Sequence, residues 1–363
     1  MSGRVTMKDV AGVLGVSTAT VSRALKGDPA ISLATRRAVA EVAQRVQYRP
    51  SAAARRLRTK STSLIGVVVQ SVGDGYIGDV VLGIQSRARD LGYQPLFFAA
   101  EGRADLESQA LEVFLSEQVT ELIAVSPGGC VPAQAVAEGM AVAIINGDEA
   151  VSARLIASVA SGTDEASPRL GSRRRAEPRI KHIAFDDVGA GRLATSHLVD
   201  LGHRGFVHLR GPNVRSSLLR LLGYRQALTE VGLWPQPVLA ASSPVMRSRE
   251  AAVAEFLRGT SPPVAMVAYD DLSAVAALHA AHRVGWRVPE DMSVVGIDDI
   301  QFAEYTNPGL TTVAQPKQRL GALAVDAVLD RGDTVPKVTV LDGELVLRDS
   351  TALARIRAER TNA

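Results

Sequence analysis

The sequence has 363 residues, of which 46% are hydrophobic and 22% are charged, a composition typical of a folded protein with two or three domains. Its only cysteine, Cys130, excludes an intramolecular disulfide, and no thiol or histidine lies near it at metal-ligand spacing, so we expect neither a metal nor a cofactor. The N-terminal residues show no signal peptide and no run that could span a bilayer, so we expect a cytoplasmic protein.

The charges are distributed unevenly along the chain. The formal net charge is +3, but residues 1–60 contain 12 Lys and Arg against three acids, and the remainder is acidic. Such a basic segment is expected when one small module binds a polyanion and the rest of the protein does not. A solvated basic tail would give the same pattern.

The basic segment begins with the signals of a short helix. Thr6 and Asp9 resemble a capping box, which predicts a first helix over about residues 7–14 that ends at Gly15. Ser17 can then cap a second helix.

The second and third predicted helices each have an apolar face. In the second, Val21 and Leu25 form the buried face, and Asp28 and Pro29 end the helix. Ser32 caps the third, whose apolar positions follow helical spacing at Val39, Val42, Ala43 and Val46. We therefore expect three small helices to share one core.

The second helix lies in the hydroxyl-rich stretch VSTATVSRAL, residues 16–25. A helix, a tight turn with glycine and a second helix with a small polar face form the helix-turn-helix that enters the major groove of DNA. We expect four outward-facing residues to contact base edges, namely Thr18, Ala19, Ser22 and Arg23. Contacts to the DNA backbone are expected from Thr6, Ser17, Lys26 and Arg36. An ordinary surface helix with solvated hydroxyls is the alternative interpretation.

These motifs resemble those of a known family. The stretch VTMKDVAGVLGVSTATVSRALKG, followed by ISLATRRAVAEVAQRVQYRPSAAARRLRTKST, is similar to the N-terminal signature of the lactose/galactose repressor (LacI/GalR) family. The resemblance extends over nearly the whole chain. It implies a DNA-binding transcriptional repressor in which Thr18, Ala19 and Arg23 read bases.

The stretch RPSAAARRLRTKS, residues 49–61, is rich in alanine and cations but too short for a stable isolated helix. The resemblance implies a hinge that becomes helical only in the DNA-bound dimer. Leu57 would then insert into the minor groove and kink the operator, with Ala54 and Arg55 beside it. A plain charged linker is the alternative.

From Ser63 onward, short apolar runs alternate with helical patterns. The runs LIGVVV, QPLFFA, ELIAVS, GFVHLRG, AMVAY and SVVGIDD predict parallel strands joined by crossover helices. The resemblance implies a periplasmic-binding-protein-like architecture with three crossovers and a small molecule in the cleft. The expected fold is a small all-α helix-turn-helix head followed by an α/β core of two doubly wound parallel-sheet subdomains.

Domain boundaries are expected where these patterns change. The head would cover residues 1–49, the hinge 50–62, and the effector-binding and dimerisation core 63–355. Within the core, one subdomain would comprise about 63–185 and 317–343, and the other about 186–316 and 344–355.

Residues 151–179, which include three arginines at 173–175, have no counterpart in the family pattern. We expect a flexible surface insertion, and an added phosphate contact is the alternative.

Polar residues follow several predicted strands, at the edge where ligands of parallel sheets bind. The stretches SVGDGY, GPNVRSSLLRLLGY, YDDLSA and GIDDIQ supply six expected effector-binding residues, namely Asp74, Tyr76, Ser216, Arg220, Asp270 and Asp298. An arginine opposite carboxylates suits a polyhydroxylated ligand, which makes a sugar the default effector. For each residue taken singly, helix capping or an ion pair is the alternative.

Two non-regulatory functions agree less well with the sequence. An enzyme could use the carboxylate pairs at 186–187, 270–271 and 298–299, but neighbouring residues on a strand point to opposite faces. His197 and His203 could bind a metal, yet no catalytic motif or zinc spacing appears, so we expect no enzyme. A free-standing sugar receptor would need a signal peptide and no basic head.

The sequence after the last predicted strand lacks a long heptad repeat, which favours a homodimer over a tetramer joined by a coiled coil. Two heads would then read a pseudo-palindromic operator. An effector that prefers one subdomain arrangement would change the DNA affinity, and the sequence leaves open whether it is an inducer or a corepressor.

Overall fold

The computed structural model describes residues 5–25, 27–48, 62–71, 73, 75–127, 131–147, 179–212, 214–234, 237–240 and 245–354. These residues belong to two compact units, Met1–Thr62 and Ser63–Ala363. Several predictions lie outside the described residues, namely those for Lys26, Ala54, Arg55, Leu57, Asp74 and residues 151–178 of the insertion.

The first unit contains three helices, α1 (Met7–Leu14), α2 (Thr18–Leu25) and α3 (Leu33–Arg45). Gly15 ends α1 in the left-handed conformation, with φ at 63°. The hydroxyl of Ser17 accepts from the backbone N–H of Thr20 at 3.0 Å, and that of Ser32 accepts from Thr35 at 3.1 Å. These caps stabilise the starts of α2 and α3, and the predicted three-helix head is confirmed.

One apolar core joins the three helices of the head. Val10, Val21 and Val39 are fully buried, one from each helix. Leu25 was expected in this core but is 37% exposed, because it is the last residue of an eight-residue helix and lies at the edge of the core. Ala24 is buried in its place.

The first sheet of the second unit is entirely parallel. Numbered in chain order, its strands are β1 (Leu64–Val69), β2 (Gln94–Ala99), β3 (Glu121–Val125), β4 (Ala141–Ile145), β5 (Ile180–Phe185) and β11 (Val338–Leu341). They lie in the order β11-β5-β4-β3-β1-β2. The helices of this subdomain are α4 (Gly75–Asp90), α5 (Ala104–Ser116), α6 (Val131–Ala137) and α11 (Lys317–Leu329).

The second sheet is parallel except at one edge. Its strands are β6 (Phe206–Arg210), β7 (Val238–Ala240), β8 (Val264–Ala268), β9 (Met292–Asp298), β10 (Thr311–Ala314) and β12 (Glu344–Val346), in the order β12-β10-β9-β8-β6-β7. Only the β10–β12 pair of this sheet is antiparallel. Its helices are α7 (Asp187–Asp200), α8 (Arg215–Glu230), α9 (Met246–Arg258) and α10 (Asp271–Arg283). None of the described helices is both long and apolar enough to cross a membrane.

The central strands are buried on both faces, which explains why their sequences are almost entirely apolar. Every residue of β3, β4 and β8 is buried. Separate hydrophobic clusters cover the two faces of each sheet. The predicted core of two parallel-sheet α/β subdomains is therefore confirmed, and the antiparallel strand β12 is an addition to the prediction.

Within the described residues, the chain passes between the two sheets three times. It crosses after β5, after β10, and between β11 and β12 at residues 342–343. Two of these passages follow carboxyl ends of strands of the first sheet, where parallel sheets bind their ligands. The loops that join the subdomains therefore adjoin the predicted effector cleft.

Each subdomain contains one pair of helices in very close contact. A Cβ atom at Gly83 of α4 would overlap the backbone carbonyl of Gln318 in α11. Likewise, a Cβ atom at Gly223 of α8 would overlap the carbonyl of Val188 in α7. Glycine is required at these crossings because the backbones leave no room for a side chain. Both helix pairs are therefore tightly packed.

Candidate functional site

The candidate DNA-binding residues of the head lie on and beside α2. Thr18, Ala19 and Arg23 are exposed, whereas Val21 on the same helix is fully buried. Ser22 was also expected to face outward, and this prediction is wrong because its exposed fraction is only 9%. It lies in the middle of α2, where the helix contacts both α1 and α3.

Two hydroxyls predicted to contact phosphates also stabilise helix ends. The carboxylate of Asp9 accepts from both the backbone N–H and the hydroxyl of Thr6 at 2.7 Å, and these bonds lower the pKa of Asp9. The hydroxyls of Ser17 and Thr20 lie 2.9 Å apart at the start of α2. The DNA contacts of Thr6 and Ser17 stay predictions.

Arg23 has an ion-pair partner that the sequence analysis missed. Its Nε donates to Oδ2 of Asp28 at 2.8 Å, which raises the pKa of Arg23 and lowers that of Asp28. The other carboxylate oxygen of Asp28 accepts from the backbone N–H of Ala30 at 2.9 Å. Arg36, a predicted phosphate contact, donates to the carbonyl of Gly27 at 3.2 Å. Arg23 and Arg36 therefore both form hydrogen bonds with the turn after α2.

In the core, Arg220 on α8 is the centre of a buried ion-pair cluster. Its Nε donates to Asp187 at 2.8 Å, its Nη1 donates to the carbonyl of Tyr269 at 2.6 Å, and its Nη2 lies 3.2 Å from Oδ1 of Asp298. The guanidinium carbon lies 4.9 Å from the centroid of the Tyr269 ring, within cation–π range. Burial opposes the charge of Arg220, but Asp298 and Asp187 more than compensate and raise its pKa. The structure thus brings Arg220 and Asp298 together.

Asp298 ends β9 in a strained backbone conformation. Its φ is 128° and that of Asp299 is 50°, values that non-glycine residues rarely adopt. Lys317, the first residue of α11, donates from Nζ to the carbonyls of these two residues at 2.6 and 2.7 Å. The same Nζ lies 3.4 Å from the carboxylate of Asp79 on α4. Lys317 therefore connects the first subdomain to the end of β9 in the second.

Arg220 is the cation that favours the ionised carboxylate of Asp298 in this buried pair, and a side-chain amide also contacts the carboxylate. The side-chain amide of Gln315 donates to Oδ1 of Asp298. Neither Gln315 nor Lys317 was predicted from the sequence; Gln315 directly follows β10, and Lys317 begins α11.

Asp270 caps a helix and contacts an arginine, and these are the structural roles that were the alternative to effector binding. Its carboxylate caps α10 by accepting from the backbone N–H of Ser273 at 2.6 Å, and Nη1 of Arg249 lies 3.3 Å from it. The next residue, Asp271, is fully buried and accepts from the hydroxyl of Thr312 at 2.5 Å. Burial raises the pKa of Asp271 to about 6. The two adjacent carboxylates have different partners, and an effector contact of Asp270 stays a prediction.

Among the effector-binding candidates that the structure describes, Tyr76 is the one that lies in the first subdomain. Its hydroxyl accepts from the side-chain amide of Asn146 at 2.6 Å, and Oδ1 of Asn146 accepts from the backbone N–H of Phe185 at 2.8 Å. Asn146 follows β4 and Phe185 ends β5, so Tyr76 is fixed at the carboxyl edge of the sheet. In the second subdomain, the hydroxyls of Ser216 and Tyr269 lie 3.1 Å apart.

Tyr269, which was not predicted from the sequence, connects the effector-binding candidates that the structure describes in the second subdomain. Its hydroxyl contacts Ser216, its carbonyl and ring contact Arg220, and it directly precedes Asp270 in the chain. Hydroxyl, guanidinium and carboxylate groups thus lie near the carboxyl ends of β6, β8 and β9. This arrangement can donate hydrogen bonds to, and accept them from, a polyhydroxylated ligand.

The histidines considered as metal ligands have structural partners. Nε2 of His197 lies 3.0 Å from the hydroxyl of Thr351, and Nε2 of His203 lies 3.1 Å from the carbonyl of Ala352. Both side chains anchor the segment after β12, and burial lowers their pKa. In the part of the chain that the structure describes, no group of three or more potential ligands could bind a metal ion.

Comparison with known proteins finds similarity in both units. Residues 6–51 match the bacterial regulatory proteins of the lacI family, and residues 195–351 match a periplasmic binding protein-like domain. The HTH-type transcriptional regulator CelR of Thermobifida fusca is 30% identical over 361 residues, which cover 96% of this chain and 98% of that protein. The HTH-type transcriptional repressor CytR of Escherichia coli K12 is 30% identical over 351 residues, with coverages of 95% and 96%.

Two solved structures are similar over 96% of this chain and 100% of their own. A lac repressor dimer bound to operator and the anti-inducer ONPF has a TM-score of 0.81 at 28% identity. The complex of the regulator CelR with cellobiose has a TM-score of 0.65, also at 28% identity.

Proposed function

The chain belongs to the LacI family of bacterial regulatory proteins, and we propose that this DNA-binding transcriptional regulator represses its target genes by binding a pseudo-palindromic operator as a homodimer. Its affinity for the operator would be controlled by a small molecule, a sugar, in the cleft between the two core subdomains. The family consists of regulators rather than enzymes. We place the protein in the cytoplasm, where its DNA target would lie.

The exposed face of α2 supports the proposed DNA contact. Thr18, Ala19 and Arg23 lie on this face, in a head where 12 Lys and Arg outnumber three acids. An arginine can donate two hydrogen bonds to guanine, and the methyl groups of threonine and alanine can contact thymine. The cations attract DNA of any sequence, and α2 would supply the selectivity.

A hinge between head and core is part of the proposal. We assign it to residues 50–62, with Leu57 as the side chain that inserts into the minor groove and Ala54 and Arg55 beside it. The support is the family membership and the composition of this stretch.

The proposed dimer is supported by exposed aromatic residues and by similarity to the lac repressor dimer. Phe302 and Tyr305, in and beside the short helix Gln301–Ala303, are 70% and 74% exposed. Neighbouring exposed aromatic side chains are typical of surfaces that bind another protein. A two-fold dimer would present two heads to two half-sites of the operator.

The buried pair of Arg220 and Asp298 is the observation on which the effector proposal depends. Asp298 ends β9, and Arg220 reaches it from α8; the carbonyl of Asp298 also binds Lys317, which lies beside Asp79 of the first subdomain. Ser216, Asp270 and Tyr76, with Asp74 outside the described residues, complete the proposed site. The similar CelR structure contains cellobiose, which favours a sugar as the ligand class.

Regulation would follow from linkage between the two sites. An effector that binds one arrangement of the subdomains more tightly than the other shifts the population toward that arrangement. If the two arrangements also differ in DNA affinity, effector and DNA change each other's affinity by the same factor.

A ligand screen tests the proposed effector class. The purified protein is heated with individual monosaccharides, disaccharides and nucleosides, since a ligand at 100 times its Kd stabilises the folded state by about 2.7 kcal/mol. We expect a sugar to raise the Tm. Stabilisation by nucleosides alone would contradict the sugar assignment, while a hit of either class that leaves DNA binding unchanged would contradict effector control.

A further inference from the structure

The turn after α2 places a carboxylate beside Arg23, the arginine that we propose to read a base. Oδ2 of Asp28 accepts from Nε of Arg23 at 2.8 Å, while Oδ1 accepts from the backbone N–H of Ala30 at 2.9 Å. The second bond fixes the carboxylate to the turn. The guanidinium group of Arg23 is therefore bound to this turn through its Nε.

This connection leaves the other end of the guanidinium available. Among the described residues, no protein group accepts a hydrogen bond from either terminal nitrogen of Arg23, whose side chain is 52% exposed. These two nitrogens form the fork that matches O6 and N7 of guanine. A side chain restrained through Nε loses less conformational freedom when this fork binds a base.

Asp28 is also unfavourable for general DNA binding. It is one of three acids among 12 Lys and Arg in residues 1–60, and a carboxylate near the phosphate backbone repels DNA of every sequence. Its contact with Arg23 gives this carboxylate a way to improve recognition, because it can act on a side chain that is proposed to read a base.

We propose that Asp28 is a positioning residue that orients Arg23 for its base contact and so increases sequence discrimination at the expense of general DNA affinity. This inference rests on the proposed base contact of Arg23. The opposite role would be sequestration, in which Asp28 competes with DNA for the guanidinium.

The variant Asp28→Asn separates these roles. Asparagine keeps an oxygen at the position of Oδ1 for the N–H of Ala30, but it has an NH2 group in place of Oδ2, and this group cannot accept a hydrogen bond from Nε of Arg23. The matched control is Glu41→Gln, which removes an exposed acid of α3 elsewhere in the head. The probes are a duplex selected by the full-length wild-type protein from random sequences, a panel with each base pair of that duplex replaced, and an unrelated duplex.

Arg23→Ala first identifies the base pair that Arg23 reads. At this pair we expect Asp28→Asn to lose about three- to tenfold in discrimination, a fraction of what a full bidentate contact provides. Binding to the unrelated duplex should stay at the wild-type level or increase, because a negative charge is removed. Glu41→Gln should keep full discrimination. In the Arg23→Ala background, Asp28→Asn should cause no further loss.

Three results would overturn the inference. Wild-type discrimination in Asp28→Asn, with or without tighter binding, would exclude positioning, and tighter binding would indicate sequestration. An undiminished effect of Asp28→Asn in the Arg23→Ala background would show that Asp28 does not act through Arg23. If Arg23→Ala kept discrimination at every base pair, the base contact and the positioning role would both be wrong, although DNA binding would stand.

A second substitution guards against a folding defect. If Asp28→Asn also loses binding to the unrelated duplex, Asp28→Ser replaces it, because serine can accept from the N–H of Ala30 but is too short to reach Arg23. The same loss of discrimination, with unrelated DNA still bound, supports positioning. Wild-type discrimination in Asp28→Ser rejects it.

Discussion

At the scale of single residues, Arg220 stabilises the fold and also belongs to the proposed effector site. It is the buried cation between Asp187 and Asp298. Its removal would deprive two buried carboxylates of this cation and lower the free energy of unfolding by about 3 to 5 kcal/mol. Arg220→Ala therefore tests stability as much as effector binding. Asp298 is the better probe, because asparagine has the same shape and keeps the backbone carbonyl that binds Lys317.

Asp298→Asn should weaken effector binding by about 1 to 3 kcal/mol, since a charge-assisted hydrogen bond to a ligand hydroxyl is lost. Operator binding without effector should stay at the wild-type level. Calorimetry with the sugar identified by the ligand screen measures the first quantity, and fluorescence anisotropy with the selected duplex measures the second. Asp349→Asn, at an exposed position, is the matched control. Unchanged effector affinity in Asp298→Asn would reject the pocket assignment.

His208 should give the protein a distinct response to acid. It is fully buried on β6, its ring centroid lies 5.1 Å from that of Tyr224, and burial lowers its pKa from 6.5 to about 3. Between pH 6.5 and about 3, the imidazole of His208 is protonated in the unfolded chain but stays neutral in the folded protein. The contribution of His208 to stability is thus complete above pH 6.5 and is lost as the pH falls toward 3, by at most about 1.4 kcal/mol per pH unit.

His208→Phe removes this proton uptake and should flatten the decline of the unfolding free energy between pH 6.5 and 4.5. Urea unfolding at several pH values measures the slope. The exposed His282→Phe is the control and should leave the slope in place. An equal slope in His208→Phe and the wild type would contradict the assignment.

At the scale of elements, capping signals located the helices of the head well. The signals at Thr6, Gly15 and Ser32 predicted ends that the structure shows within a residue. Helical spacing alone failed at Ser22 and Leu25, because burial in an eight-residue helix depends on which residues the neighbouring helices reach. Local sequence determines caps, whereas tertiary packing determines burial.

In the core, apolar runs predicted the strands because buried parallel strands have no polar face. The antiparallel pairing of β12 could not be predicted, since a three-residue strand has no clear alternation. The partners of Arg220 were only partly predictable. Asp298 follows a recognisable strand, but the contact with Asp187 joins residues 33 positions apart through the packing of α7 on α8.

Lys317 at the start of α11 should stabilise the crossover and the effector site together. Lys317→Met removes the ammonium group that binds the carbonyls of Asp298 and Asp299 and lies beside Asp79. The two carbonyls would lose a buried donor, so the unfolding free energy should fall by about 1 to 3 kcal/mol. Effector affinity should fall as well, because the backbone of Asp298 is no longer fixed.

Arg319→Met is the control for this test, since Arg319 is exposed two residues further along the same helix. Chemical denaturation and calorimetry give the two quantities. Wild-type values of both for Lys317→Met would show that Lys317 does not connect the subdomains energetically.

At the scale of the whole molecule, repression as proposed requires a dimer. Tyr305→Asp places a charge on the exposed aromatic surface formed by Phe302 and Tyr305 and should dissociate the dimer, because an unpaired charge is costly in an interface. Sedimentation velocity would then show monomers, and operator affinity would fall as the two heads act separately. Leu353→Asp, at a residue that is 75% exposed, is the control. A dimer that persists in Tyr305→Asp would place the subunit contact elsewhere.

The central claim is that one small molecule in the cleft controls DNA binding by the head. Its most direct test is the affinity of the wild-type protein for its selected duplex, measured with and without the sugar that stabilises it. We predict a change of about fivefold or more, and the sugar should bind free and DNA-bound protein with affinities that differ by the same factor. Equal sugar affinity for the free and DNA-bound protein would contradict the claim.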